Sequence, residues 1–72
     1  MSLLEEIKAY NQYTGEPHSI KIFKRNIENA APYEVRLDDS FVATSETREQ
    51  ADVEVTDVIL FFGFRASNPI FA

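Results

Sequence analysis

A chain of 72 residues without a single cysteine must be held together by one small core, because no disulfide or thiolate zinc site can contribute. The length predicts one domain over residues 1–72. The longest apolar run, Val58 to Phe62, spans five residues, far short of the roughly 20 that cross a membrane. Together with a charged, mixed N-terminus unlike a signal peptide, this predicts a cytoplasmic protein.

The net charge of −5 is concentrated in the second half of the chain. Residues 1–36 carry five acids and five bases, whereas residues 37–72 carry seven acids and two bases. Such an acidic half repels nucleic-acid phosphates and anionic lipid headgroups. We therefore expect no direct nucleic-acid partner and no membrane partner.

The first segment has the apolar spacing of a helix. Leu3, Ile7 and Tyr10 recur at intervals of four and three residues, which is one face of a 3.6-residue period. We predict a short N-terminal helix over residues 3–13 that ends before Gly15.

The following segment changes to the period-two alternation of β-strands. It predicts a first strand over residues 18–25, a second that begins at Tyr33 and a third over residues 41–44. Asp38 and Asp39 lie between the last two strands, and aspartate tolerates the backbone angles of tight turns, which predicts a hairpin. The expected result is a small three-stranded antiparallel sheet with strands paired in sequence order.

A C-terminal helix is predicted to pack on one face of this sheet. Thr44 or Ser45 supplies a hydroxyl for its N-cap, and the helix extends to about Phe61. Its many β-branched and aromatic residues leave open a strand over residues 57–65 instead. Residues 63–72 then form an apolar C-terminal tail. The predicted fold class is α+β.

The predicted core gathers the apolar positions that face the interface between helix and sheet. Residues 27–32 are predicted as a loop outside it. The core consists of Leu3, Ile7, Tyr10, Ile20, Ile22, Tyr33, Val35, Leu37, Phe41, Ala43, Ala51, Val55, Val58, Ile59 and Phe62.

No combination of residues predicts a reaction or a cofactor. His18, the only histidine, follows Glu16 by two positions, so a carboxylate could orient its ring as in a catalytic dyad. No nucleophile motif accompanies it. Asp38 and Asp39 lack the oxygen spacing of a calcium loop. We predict a protein that is not an enzyme and has neither a metal site nor a cofactor.

The predicted functional site is a protein-binding surface on the outer side of the C-terminal helix. Val53 and Leu60 are two helical turns apart and share a face that the core residues do not occupy. Acidic residues flank them, and an apolar centre with a charged rim is the usual anatomy of an interface. The predicted surface consists of Asp52, Val53, Thr56, Asp57, Leu60, Phe61, Phe64 and Phe71.

These features predict a non-catalytic protein-interaction module or a small regulatory or accessory protein. The alternative is a structural homo-oligomer with no separate partner, and small-ligand binding and nucleic-acid mimicry are minor alternatives. A single core of this size seldom yields more than roughly 3–5 kcal/mol, and a partner chain is one remedy. Phe64, Ile70 and Phe71 of the tail either fold back over the open face of the sheet or the first helix, or stay exposed to meet another chain. With the second arrangement we predict a homodimer that buries Val53, Leu60 and Phe61 together with Phe64, Ile70 and Phe71.

Overall fold

The computed structural model describes residues 1–26 and 31–66. Within these ranges, five antiparallel strands form one sheet in the order β4-β3-β2-β1-β5, with a single helix. The predicted three-stranded sheet with a short N-terminal helix is therefore wrong, although the fold remains α+β. The elements are β1 Ser2–Asn11, β2 Pro17–Lys24, β3 Tyr33–Leu37, β4 Ser40–Ser45, α1 Arg48–Phe62 and β5 Phe64–Ala66.

The segment predicted as the N-terminal helix is strand β1. The chain reverses after it because the Asn11 side chain accepts hydrogen bonds from the backbone N–H groups two and three residues later, at 2.8 and 3.1 Å. Gly15 completes the turn with a φ of +75°, which glycine adopts without steric cost. The turn brings β2 alongside β1 and buries Ile7 and Ala9 at alternate positions, as a strand requires.

The predicted hairpin between β3 and β4 is confirmed. Asp38 and Asp39 form its two-residue turn, with φ values of +50° and +69°. Two positive φ angles define the type I′ turn, whose twist matches that of paired strands. The first predicted strand, over residues 18–25, corresponds closely to β2, which covers Pro17–Lys24. The predicted loop over residues 27–32 falls largely outside the described residues.

Helix α1 packs on one face of the sheet and closes the core. Tyr33, Leu37 and Ile59 are partly buried and pack against this core, as predicted. Ala9 joins it without having been predicted, and Phe64, whose packing on the chain's own sheet was one of two alternatives, joins it as well. The buried residues are Ile7, Ala9, Ile20, Ile22, Val35, Ala51, Val55, Val58 and Phe64.

Four residues predicted for the core are exposed: Leu3, Tyr10, Phe41 and Phe62. In β1, the side chains of Leu3 and Tyr10 follow the strand alternation onto the face that α1 does not cover. Phe41 lies opposite Arg36 on that same face.

The face of the sheet away from α1 is lined with charged side chains that pair with one another. Lys8 Nζ lies 2.9 Å from Glu6, and Lys21 Nζ lies 3.3 Å from Asp39. Arg36 binds the carboxylate of Glu34. This pairing makes part of that face a mixed-sign polar surface, and the exposed side chains of Leu3, Tyr10 and Phe41 lie on the same face. In the described part of the chain, no helix has both the length and the apolar character needed to cross a membrane.

Candidate functional site

Helix α1 carries the predicted binding surface and is capped at both ends. The Thr47 hydroxyl accepts a hydrogen bond from the backbone N–H of Gln50 at 3.1 Å, so the cap is neither Thr44 nor Ser45, which belong to β4. At the other end Gly63 adopts a left-handed conformation, and its N–H bonds to the carbonyls of the last turn. The open choice between helix and strand is thereby settled: the helix continues to Phe62 and a short strand follows.

The N-terminal half of α1 is fixed to the sheet by Arg48. Its guanidinium donates hydrogen bonds to Asp52, one turn along the helix, and to Glu5 of β1. Burial opposes the charge of Arg48, but these two carboxylates outweigh that effect and raise its pKa. The contact with Glu5 joins the first turn of α1 to β1.

The outer row of α1, defined as Val53, Leu60 and Phe61, is exposed to solvent. The exposed fractions of these side chains are 58%, 74% and 83%. Val53 and Leu60 lie on the side of the helix opposite Ala51 and Val55, which are buried against the sheet. Phe61 lies between that side and the buried face. The helical period predicted this placement correctly. The structure therefore presents three large apolar side chains on a rigid element.

The polar residues of the predicted surface divide into two kinds. Two of them have partners within the chain. The Asp52 carboxylate forms an ion pair with Arg48, and the Thr56 hydroxyl donates a hydrogen bond to the Asp52 backbone carbonyl at 3.1 Å. Asp57 is exposed, and within residues 1–26 and 31–66 no ion pair involves it. Of the predicted surface, Asp57 therefore carries a charge that no described ion pair neutralises.

Phe64 does not lie on this surface. It is in β5, 8% exposed, and its ring stacks on His18 at 4.6 Å and on Phe62 at 5.4 Å between centroids. The sequence analysis placed Phe64 in an apolar tail after the helix, but Gly63 is the helix cap and the chain then re-enters the sheet as β5. Phe71 lies outside the described residues.

A groove between α1 and β4 adjoins the outer row and was not predicted. It has a volume of about 320 Å³. Val42 reaches it because a bulge in β4 makes this residue an extra one, unpaired with β3. The only signal in the sequence was the spacing of Glu54, Asp57 and Phe61 along one side of the helix. The groove is lined by Val42, Glu54, Asp57, Val58, Phe61 and Phe62.

His18 is oriented by Asp38, and Glu16 is the more distant carboxylate. The ring Nδ1 lies 2.6 Å from Asp38 Oδ2, whereas Nε2 lies 3.7 Å from Glu16. The His18 hydrogen bond, followed by that from the Ser19 N–H, lowers the pKa of Asp38. With one ring face on Phe64, the imidazole fastens the β3–β4 turn to the edge of the core. Among the described residues, no group of three potential metal ligands converges.

Comparisons of the chain with protein-family models, with curated proteins and with solved structures give no match.

Proposed function

We propose that this chain is a non-catalytic protein-interaction module that binds its partner through the outer side of α1. The observation that carries the proposal is the exposure of Leu60 and Phe61, at 74% and 83%. Adjacent large apolar side chains on a rigid helix lose little conformational freedom on binding. A phenylalanine alone can bury 150–250 Å² in a contact.

The charges around the outer row favour a specific contact over nonspecific hydrophobic association. Asp57 and Glu49 are both exposed and flank Val53 and Leu60 along the helix. A charged rim contributes to the choice of partner and to the rate of encounter more than to affinity. The expected partner surface has an apolar centre and basic residues around it.

A binding role accounts for His18 better than a catalytic one does. Its Nδ1 is engaged by Asp38 and its ring packs on Phe64. The neighbouring Ser19 hydroxyl donates to Glu6 at 2.5 Å, on the other face of the sheet. These contacts support a structural role for His18, which holds the β3–β4 turn against the core. The lack of cysteine further supports our proposal of a cytoplasmic location.

The test is a quantitative affinity capture from the native host with three forms of the full chain. Leu60→Asp places a charge in the centre of the outer row, and Leu3→Asp makes the same change at an exposed leucine on the opposite face of the sheet. We expect the wild type and Leu3→Asp to retain a common partner that Leu60→Asp loses, with circular dichroism showing that all three are folded. Equal capture by both variants would exclude the outer row as the contact.

The second candidate is a homo-oligomer in which another copy covers the same residues. The apolar character of Val53, Leu60 and Phe61 favours it, because a copy can bury them without any foreign partner. Salt separates the two candidates. An apolar self-interface barely responds to ionic strength, whereas a contact steered by Asp57 weakens as charges are screened over about 10 Å at 0.1 M salt. Light scattering showing twice the chain mass, lost in Leu60→Asp, would favour the homodimer.

A further inference from the structure

Strand β4 is an edge of the sheet whose protection against strand pairing is limited to its length of six residues and one bulge. It pairs with β3 on one side and, among the described residues, with no strand on the other. Its sequence, Ser40–Ser45, contains neither a charged residue nor a proline, the residues that commonly block edges. The bulge at Val42 interrupts the ladder at one point only. Backbone donors and acceptors of this strand are therefore available to an added strand.

The groove between α1 and β4 lies beside this edge, so it can select which strand binds there by the side chains that the strand presents. Its apolar floor includes Val42, Val58 and Phe62, and Phe61 stands at the rim. A strand added to β4 would point alternate side chains into this groove, since successive residues of a strand face opposite sides. Backbone hydrogen bonds supply affinity in such complexes, and side-chain pockets supply specificity.

The charge of the groove identifies the chemistry of its occupant. The two charged residues that line it, Glu54 and Asp57, are both acids. The one base of α1, Arg48, lies at the other end of the helix and is bound to Asp52 and Glu5. A segment with basic side chains on either side of an apolar one would neutralise both carboxylates and fill the floor.

A second copy of the chain fits this edge poorly. Pairing β4 with β4 of another copy about a two-fold axis would place the two helices side by side on the same face of a continuous sheet. Glu54 and Asp57 would then face their own equivalents, and like charges brought together oppose association. The partner that complements the groove is thus a different chain, with basic residues where this one has acids.

We propose that β4 and the groove bind an extended basic segment of a partner protein by strand addition, with an apolar side chain seated between Val42 and Phe62. This inference rests on the proposed interaction function and specifies the chemistry of the partner. The groove shares Phe61 and Asp57 with the surface of the proposed function, but Val53 and Leu60 do not line it, so Leu60→Asp tests the proposed function and Glu54→Gln tests the groove.

The test is a nuclear magnetic resonance titration of the full chain with a capped peptide. The peptide has lysine, isoleucine and lysine at alternate positions and threonine between and around them. We expect saturable shifts, with a dissociation constant of about 1 mM or tighter, at the backbone amides of β4 and of α1 from Glu54 onward. A version with glutamate for lysine should not bind. A version with N-methylated backbone amides should bind at least about tenfold more weakly, because it cannot donate to the strand edge.

Matched variants test the charge argument. Glu54→Gln should weaken binding of the lysine peptide about two- to fivefold at low salt. Glu49→Gln makes the same change on the same helix outside the groove and should leave binding unchanged. Equal losses in both variants would show a general charge attraction and overturn the proposed site.

Four other results would overturn the inference. The first is that no saturable shift is seen up to about 5 mM peptide, and the second is that the shifts are confined to strands other than β4. The third is that the N-methylated peptide binds as tightly as the unmodified one. The fourth is that the groove is already occupied when no peptide is present. The last would appear as concentration-dependent shifts of β4, which indicate a second copy, or as contacts from residues 67–72 to Val42. If the peptide does not bind while Leu60→Asp still abolishes partner capture, the proposed interaction function is supported and only the proposal of strand addition is overturned.

Discussion

Ile7 of β1 lies directly opposite Ile20 of β2, and both side chains are buried beneath α1, with exposed fractions of 4% and 0%. The pair joins the two longest strands at the centre of the sheet. Because the residues are in register, the packing of each depends on the other.

Replacing Ile20 with alanine should remove a large part of the stability. Loss of a buried isoleucine costs about 2–5 kcal/mol through lost transfer energy and the cavity left behind. Leu60→Ala, at a 74% exposed position of α1, should change the free energy of unfolding by less than about 0.5 kcal/mol. Urea denaturation followed by circular dichroism measures both. A similar small cost for both variants would mean that the Ile7–Ile20 pair is not at the core of the folded protein.

The two glycines offer a matched test of backbone conformation. Gly15 and Gly63 have φ values of +75° and +68°, so alanine at either should cost about 1–2 kcal/mol. A Cβ at Gly15 would meet nothing within 4 Å, whereas one at Gly63 would lie 3.1 Å from the Gln12 side-chain nitrogen. The exposed Gln12 amide can move, and we expect the two costs to agree within about 0.5 kcal/mol. A much larger cost at Gly63 would show that Gln12 is held rigidly against the helix cap.

The N-cap of α1 should be sensitive to the loss of one hydroxyl. Thr47→Ala removes the acceptor for the Gln50 N–H and should cost about 0.5–2 kcal/mol, while Thr47→Ser keeps the acceptor and should be nearly neutral. Thermal melting of the three proteins measures the effect. If serine and alanine were equally destabilising, packing of the threonine methyl group, and not the cap, would be the cause.

Asp38 should make stability depend on pH in the acidic range. Its hydrogen bonds from His18 and Ser19 lower its pKa from the ordinary 3.8 in the folded state, so the unfolded chain binds a proton first and stability rises with pH through this window. Asp38→Asn keeps the turn but loses the charge, and should cost about 0.5–1 kcal/mol near neutral pH, a small value because the carboxylate is half exposed. The difference from wild type should vanish as pH falls from 3.8 through the lowered pKa. A difference in the free energy of unfolding that persists below this pH range would show that the substitution acts through the conformation of the turn and not through the charge of Asp38.

The hairpin and the helix could be predicted because their signals are local. Asp38 and Asp39 tolerate positive φ whatever surrounds them, and the buried spacing of Ala51, Val55 and Val58 belongs to one helix. The N-terminal segment was misjudged because leucine, glutamate, lysine and alanine favour helices in isolation. Its strand conformation depends on pairing with β2, which burial of Ile7 enforces. Tertiary contacts overrode the local preference.

The outer row could be predicted from the helical period, whereas the groove could not. Val42 enters the groove through a bulge whose position depends on how β3 and β4 pair. The burial of Phe64 depends on β5 adding to β1, a pairing of residues more than 50 positions apart. A short strand of three residues has too little alternation to be recognised in the sequence.

One residue, Gly63, separates the end of α1 from the start of β5, and this short link has a kinetic consequence. The β1–β2 and β3–β4 hairpins form from neighbouring residues, whereas β5 pairs with residues of β1 more than 50 positions away, and contacts so distant in sequence slow folding. Fraying of the final turn of α1 should release β5 at once. We therefore expect hydrogen exchange at the backbone N–H of Gln12, which donates to the Gly63 carbonyl, to follow the opening of the helix end instead of global unfolding.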